Sequence, residues 1–157
     1  MTHRIFFRAL RERWSVEASP WWLDRLTTIF AATAEPTSPT TDRDARLRLR
    51  IVGDGPSALF VAGDLVLRDV AVAHVLDRIV WEVNQLAWQA DPDLVLVHGA
   101  AIEVDDRAVV ITGPSGAGKS TLTAALCVHG AGYLSDEIAA LGDGLVHPYA
   151  KPMSIRP

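Results

Sequence analysis

The segment Gly113-Pro-Ser-Gly-Ala-Gly-Lys119-Ser120 constrains this chain more than any other feature. It satisfies G-x-x-x-x-G-K-[ST] at every fixed position, and it stands between an apolar run and a helix-forming run. Ala108 to Thr112 reads as a buried strand. Lys119 to His129 reads as a helix, with Leu122, Ala125 and Leu126 at helical spacing and Gly130 as its C-terminal stop. A strand, a glycine-rich turn and a helix in that order turn backbone N–H groups inward around an oxyanion, and the helix N-terminus adds its partial positive charge. The expected fold class is therefore α/β, with a P-loop nucleotide-binding domain.

The chemistry follows from the residue types. Gly113, Pro114, Ser115, Gly116, Ala117 and Gly118 would wrap the phosphates of a nucleoside triphosphate, with ATP as the expected ligand. Lys119 would reach the β and γ phosphates, Ser120 would offer its hydroxyl to Mg2+, and Thr121 would donate to a nearer phosphate. The same loop serves kinases, GTPases and transport ATPases, so the next acidic motif decides among them. Gly132-Tyr-Leu-Ser-Asp136-Glu137-Ile138 places an acidic pair at the end of a short strand, one helix and one turn beyond Lys119. A carboxylate there could bind magnesium or take the proton of an acceptor hydroxyl. The plainer alternative for such a pair is a solvated turn.

Elsewhere the patterns are those of a globular protein. No run of about twenty apolar residues is present, which predicts no membrane span, and Met1 to Trp14 lacks the apolar core of a signal peptide. With the single Cys127, this predicts a cytoplasmic protein. A net charge of −4 gives no overall attraction to nucleic acid or anionic lipid. Ala34 to Asp44, rich in Pro and Thr, reads as a linker, so the expected division is 1–44, an N-terminal α+β segment with linker, and 45–157, the kinase-like domain.

Within the first part, Arg4 to Leu10 and Trp14 to Ala18 read as strands, and Ser19-Pro20 starts a helix reaching about Ala32. Leu47, Leu49 and Ile51 alternate with Arg46, Arg48 and Arg50, which predicts a half-buried strand with a solvated arginine face. Ala58 to Ala62 and Leu65 to Leu67 follow as short strands. Asp69 would cap the longest helix, running to about Gln89 on Val72, Val75, Leu76, Ile79, Val83 and Leu86. Strands are then expected over Leu94 to Val97 and Ala101 to Val104, and the five tryptophans are read as packing residues.

From about Asp69 onward the chain resembles the HPr serine kinase and phosphorylase family, whose catalytic domain is akin to ATP-dependent phosphoenolpyruvate carboxykinase. The residues that carry the likeness are the long helix leading into LVLVHGAAIEVDDRAVVITG, the loop GPSGAGKST, and YLSDEIAAL. The resemblance implies that His98 lies near the active site and that Asp136 and Glu137 form the acidic pair. One acid would be the general base and the other would sit at magnesium; Asp136 is the expected base, with Ser120 and Glu137 on the metal side. It also implies a serine-bearing protein or peptide substrate and a homo-oligomer, with no nucleic acid or membrane partner. The chain departs from the family in having Glu137 where an aspartate is usual, in its N-terminal segment, and in ending at HPYAKPMSIRP, short of the family's later strands and helices. Lys151 and Arg156 in that segment could serve a phosphate. The rival readings are a small-molecule kinase, a transporter-type ATPase module, and a nucleotide-binding regulatory subunit without transferase activity. The transporter reading lacks a following glutamine-bearing strand and an LSGGQ-like segment.

Overall fold

The computed structural model describes residues 2–35, 44–89 and 92–153. The fold is mixed α/β, and it divides into two compact units, Met1–Ala90 and Asp91–Pro157. The division thus falls at 90/91, whereas the linker pattern placed it at 44/45. The reason is strand pairing: β2 (Glu12–Ala18) lies parallel to β3 (Leu47–Val52), with Trp14 opposite Leu47 and Val16 opposite Leu49. Residues on both sides of the Pro/Thr-rich stretch therefore share one sheet. Most of that stretch, 36–43, lies outside the described residues.

The first unit is a five-stranded sheet in the order β1 (His3–Ala9), β2, β3, β4 (Ser57–Val61) and β5 (Asp64–Val70), antiparallel except between β2 and β3. Strand alternation gives it one apolar face, on which Phe7, Trp14, Leu49, Ile51 and Leu59 are all buried. Helices α1 (Pro20–Ile29) and α2 (Val72–Trp88) pack against this sheet and bury Trp22, Leu26, Val75, Ile79 and Val83. The other face is ionic. Arg4 pairs with Glu17 at 2.6 Å, Arg46 pairs with Glu12 at 2.8 Å, and Arg50 lies over the Phe60 ring at 4.4 Å. The arginine stripe is thus a solvated strand face, as its alternation with leucines predicts.

Two boundaries and one cap differ from expectation. Helix α1 stops at Ile29 and a 3-10 turn follows over Ala31–Thr33. Ser19 occupies its N-cap with backbone only: its carbonyl accepts from Trp22 N and Leu23 N, while its hydroxyl donates to Asp54. Asp69 does not cap α2, because β5 runs on through Val70 and the helix begins after Ala71.

The second unit is organised by one long strand, β6 (Val95–Val104), where two shorter ones were expected. Its C-terminal half pairs with β7 (Arg107–Thr112) through a two-residue turn, in which Asp105 and Asp106 both have positive φ as a type I′ hairpin requires. On its other side β6 pairs with β8 (Gly132–Ser135) and then with β9 (Ile138–Gly142), and β10 (Leu145–His147) closes that edge. Helix α3 (Lys119–Val128) packs against β6 and β8. It ends as expected at Gly130: Ala131 N donates to Leu126 O at 3.0 Å and Gly130 N to Cys127 O at 3.1 Å, a Schellman motif. The Ala108 to Thr112 run is not buried. Among the described residues strand β7 pairs with β6 alone, and Val109 is 45% exposed. Among the described residues, no helix is long and apolar enough to cross a membrane.

Candidate phosphate-binding and acidic site

Strand β7 ends at Thr112, the glycine-rich turn spans 113–118, and α3 starts at Lys119. Gly118 sits at the helix N-cap with φ 82°, a left-handed conformation that glycine adopts without strain. Ser115, Gly116, Ala117 and Gly118 are exposed, as are Pro114 and Thr121, so the turn faces solvent. Lys119 folds back across it and donates to the carbonyls of Gly113 at 2.9 Å and Pro114 at 3.1 Å. These two acceptors hold the ammonium over the turn. Thr123 anchors the first helical turn by donating to Lys119 O at 2.8 Å.

The acidic pair arrives at the same place. Ala101 stands opposite Ser135 and His98 opposite Ile138, so Asp136 and Glu137 fall beside the Gly99–Ala100 step of β6, between β8 and β9. Gly99 N donates to Glu137 O at 3.1 Å, and Ser135 Oγ accepts from the N–H groups of Glu137 and Ile138 at 3.3 and 3.1 Å. The resulting local break in the edge strand points Asp136 at α3. Its Oδ2 accepts from Ser120 Oγ at 3.4 Å. Its Oδ1 lies 2.9 Å from Tyr133 Oη and 2.9 Å from Lys151 Nζ. Asp136 is buried at 6% exposure, while the Glu137 side chain is 36% exposed and pairs with Lys151 Nζ at 3.1 Å.

Burial, reinforced by the neighbouring Asp136 charge, pushes the Tyr133 phenol far above its ordinary range. Burial also raises Tyr149, aided by Glu137 and Asp136. Both hydroxyls therefore remain protonated donors at any working pH. His98 is placed by its strand next to the acidic pair, but its ring is exposed and makes no hydrogen bond or ion pair among the described residues.

Two residues that matter to this geometry, Tyr133 and Gly99, were not singled out as site residues by sequence, and a third, Lys151, was read only as a possible phosphate contact. Lys151 is the buried cation of the acidic pair, although only its charge within HPYAKP was visible in the sequence; Arg156 lies outside the described residues. Tyr133 precedes the pair by an i to i+3 spacing that gives no hint of its contact. Gly99 is flanked by Thr112 on one side and Glu137 on the other. A Cβ on Gly99 would stand 2.8 Å from the Ile111 carbonyl oxygen, a backbone atom that cannot swing aside. Gly99→Ala is expected to wedge β6 from β7 and to cost about 1–3 kcal/mol, the usual range for overpacking. The check is the unfolding midpoint followed by tyrosine absorbance, because both tyrosines, Tyr133 and Tyr149, belong to this unit.

Charge separates this site from the cleft of about 650 Å³ at the β6–β7 turn, lined by Glu103, Asp105, Asp106 and His129 among others. That cleft is acidic and unsuited to a polyphosphate. Among the described residues no group of three or more His, Cys, Asp or Glu side chains could hold a metal by itself. Ser120 and Asp136 instead offer one hydroxyl and one carboxylate. This suits an ion such as Mg2+, which keeps several waters and takes its remaining ligands from substrate phosphates. No family model matches the chain, and no curated protein or solved structure matches it.

Proposed function

We propose that the chain binds ATP with Mg2+ at Gly113 to Thr121 and transfers the γ-phosphoryl group to a hydroxyl, a serine of a protein or peptide substrate. The corresponding fold reading is a P-loop nucleotide-binding domain of the HPr kinase and phosphoenolpyruvate carboxykinase type. The observation that carries it is the approach of Asp136 Oδ2 to Ser120 Oγ, at 3.4 Å, in the first turn of a helix that follows an exposed glycine-rich turn. A phosphate site alone would serve any nucleotide-binding protein. A carboxylate delivered to the magnesium-side hydroxyl supports metal–nucleotide chemistry, and the second acid beside it, Glu137, supplies the base that transfer to an acceptor hydroxyl needs.

In this reading the backbone N–H groups of the turn and Lys119 hold the phosphates, with Lys119 exchanging its two carbonyl partners for phosphate oxygens. Ser120 and Asp136 would hold Mg2+, whose contribution when bound is to neutralise charge developing on the phosphates. The acids thereby exchange the roles expected from sequence: the buried Asp136 serves the metal and the partly exposed Glu137 faces the acceptor. As the acceptor oxygen forms its bond to Pγ, the bond from Pγ to the ADP oxygen breaks, and the acceptor proton passes to the Glu137 carboxylate. His98, next to Glu137 on the adjoining strand, is left to orient the acceptor.

The first test is the thermal midpoint of the wild type and Lys119→Ala with and without magnesium and ATP. Ligand at about one hundred times its dissociation constant should add about 2.7 kcal/mol to the wild type. That gain should vanish in Lys119→Ala. A folded wild type without any gain would refute the reading.

A further inference from the structure

We infer that Lys151 is a positioning residue that assigns the two acids their separate tasks, an inference that rests on the phosphoryl-transfer reading above. Lys151 lies beyond β10, outside the glycine-rich turn and the strand that bears the acids, yet it is only 4% exposed. Its segment is fastened at two points. Tyr149 N donates to Leu134 O at 2.8 Å, and Tyr133 Oη, with one proton to share, stands between Lys151 O at 3.0 Å and Asp136 Oδ1 at 2.9 Å. The ammonium donates to Asp136 Oδ1 at 2.9 Å and to Pro152 O at 3.3 Å, and it forms an ion pair with Glu137 Oε2 at 3.1 Å.

This arrangement does more than neutralise charge. A buried ion pair is weak evidence for stability, since an apolar replacement of similar size is often as stable. What Lys151 does here is geometric. With Tyr133 it occupies Asp136 Oδ1, which leaves Oδ2 turned to Ser120 Oγ. By the ion pair it tethers Glu137, whose side chain keeps 36% exposure. One cation thus holds one carboxylate toward the metal side and the other toward solvent, where an acceptor would arrive. Partners that fix the orientation of a metal-side ligand act on metal affinity without touching the metal. Buried and fully engaged, Lys151 does not itself reach the phosphates.

The test is calorimetric titration of the full chain with ATP alone and with ATP plus Mg2+, for the wild type, Lys151→Met, Lys151→Arg and Tyr133→Phe. Lys151→Met should bind metal-free ATP within about twofold of the wild type, because the turn and Lys119 are unchanged, and should lose at least about tenfold of the magnesium-dependent gain. Lys151→Arg should recover part of it. Tyr133→Phe, which removes the phenol shared by Oδ1 and Lys151 O and keeps the ion pair, should lose less than Lys151→Met. Lys151→Arg, whose longer fork shifts both acids, carries the test if Lys151→Met does not fold: it should lose part of the magnesium-dependent gain and keep metal-free binding. A folded Lys151→Met with the wild-type magnesium gain would overturn the inference. So would equal loss of metal-free and metal-dependent binding, which would mark Lys151 as a structural prop only. A wild type that binds no ATP would overturn the phosphoryl-transfer reading itself, a result distinct from either.

Discussion

Glu137→Gln is expected to bind magnesium and ATP as the wild type does and to lose phosphoryl transfer by about 10²–10⁴-fold, the usual contribution of a general base. The amide keeps the shape of the side chain and removes its ability to take a proton. Asp136→Asn should fail differently. Its carboxylate lies 3.4 Å from Ser120 Oγ and 2.9 Å from Lys151 Nζ, so the amide should leave metal-free ATP binding largely intact while losing the magnesium-dependent part of affinity and, with it, transfer. Calorimetry with and without magnesium separates the two variants. Transfer can be followed with γ-labelled ATP and a degenerate pool of serine-containing peptides. Full transfer by Glu137→Gln would remove Glu137 as the proton acceptor. Wild-type magnesium dependence in Asp136→Asn would return the metal to Glu137, the residue expected on the metal side from sequence.

Trp14→Ala is expected to destabilise the first unit by about 3–5 kcal/mol, a large part of the whole stability of a domain this size. The Trp14 ring stacks on Phe7 with centroids 4.4 Å apart and meets the Phe30 ring edge-on at 5.1 Å, and all three are buried. Alanine would leave a cavity among stiff aromatic neighbours that cannot collapse into it. Trp14→Phe should cost less than the alanine change. It removes less volume, and it also removes the Trp14 Nε1 donor, which is buried without a partner among the described residues. Denaturant unfolding followed by tryptophan emission is the right measurement, because all five tryptophans, Trp14, Trp21, Trp22, Trp81 and Trp88, belong to Met1–Ala90. An alanine variant with an unchanged midpoint would show that the aromatic cluster does not hold this unit together. The magnesium–ATP effects are expected in the other unit, so the two sets of variants can be read with different chromophores.

Several elements were legible because local chemistry alone decides them. The alternation of Leu47, Leu49 and Ile51 with three arginines leaves a strand only one way to bury its apolar side, and β3 buries Leu49 and Ile51 while Arg48 and Arg50 stay exposed. Gly130 ends α3, and the turn of 113–118 joins β7 to α3 where the glycine spacing put it. The two compact units divide at 90/91 and not at 44/45, since a Pro/Thr-rich stretch reports only its own composition. Whether the strands around it pair with each other is a long-range matter, here settled by the parallel pairing of β2 with β3. The exposure of β7 was illegible for a similar reason: AVVIT is as apolar on a sheet edge as in a sheet centre.

The site divides along the same line. From sequence alone came the phosphate-binding pattern of Gly113 to Thr121 and the candidate acids Asp136 and Glu137, since a turn with three glycines before a helix and an acidic pair after one strand are contiguous features. Only the tertiary structure decided which acid meets Ser120, that Gly99 lies between Thr112 and Glu137, and that Lys151 meets both acids while Tyr133 meets Asp136. These depend on the register of β8 and β9 against β6 and on the return of the segment after β10. Strand register and chain return are set by packing summed over many distant residues, and no stretch of sequence short enough to read as a motif contains that sum.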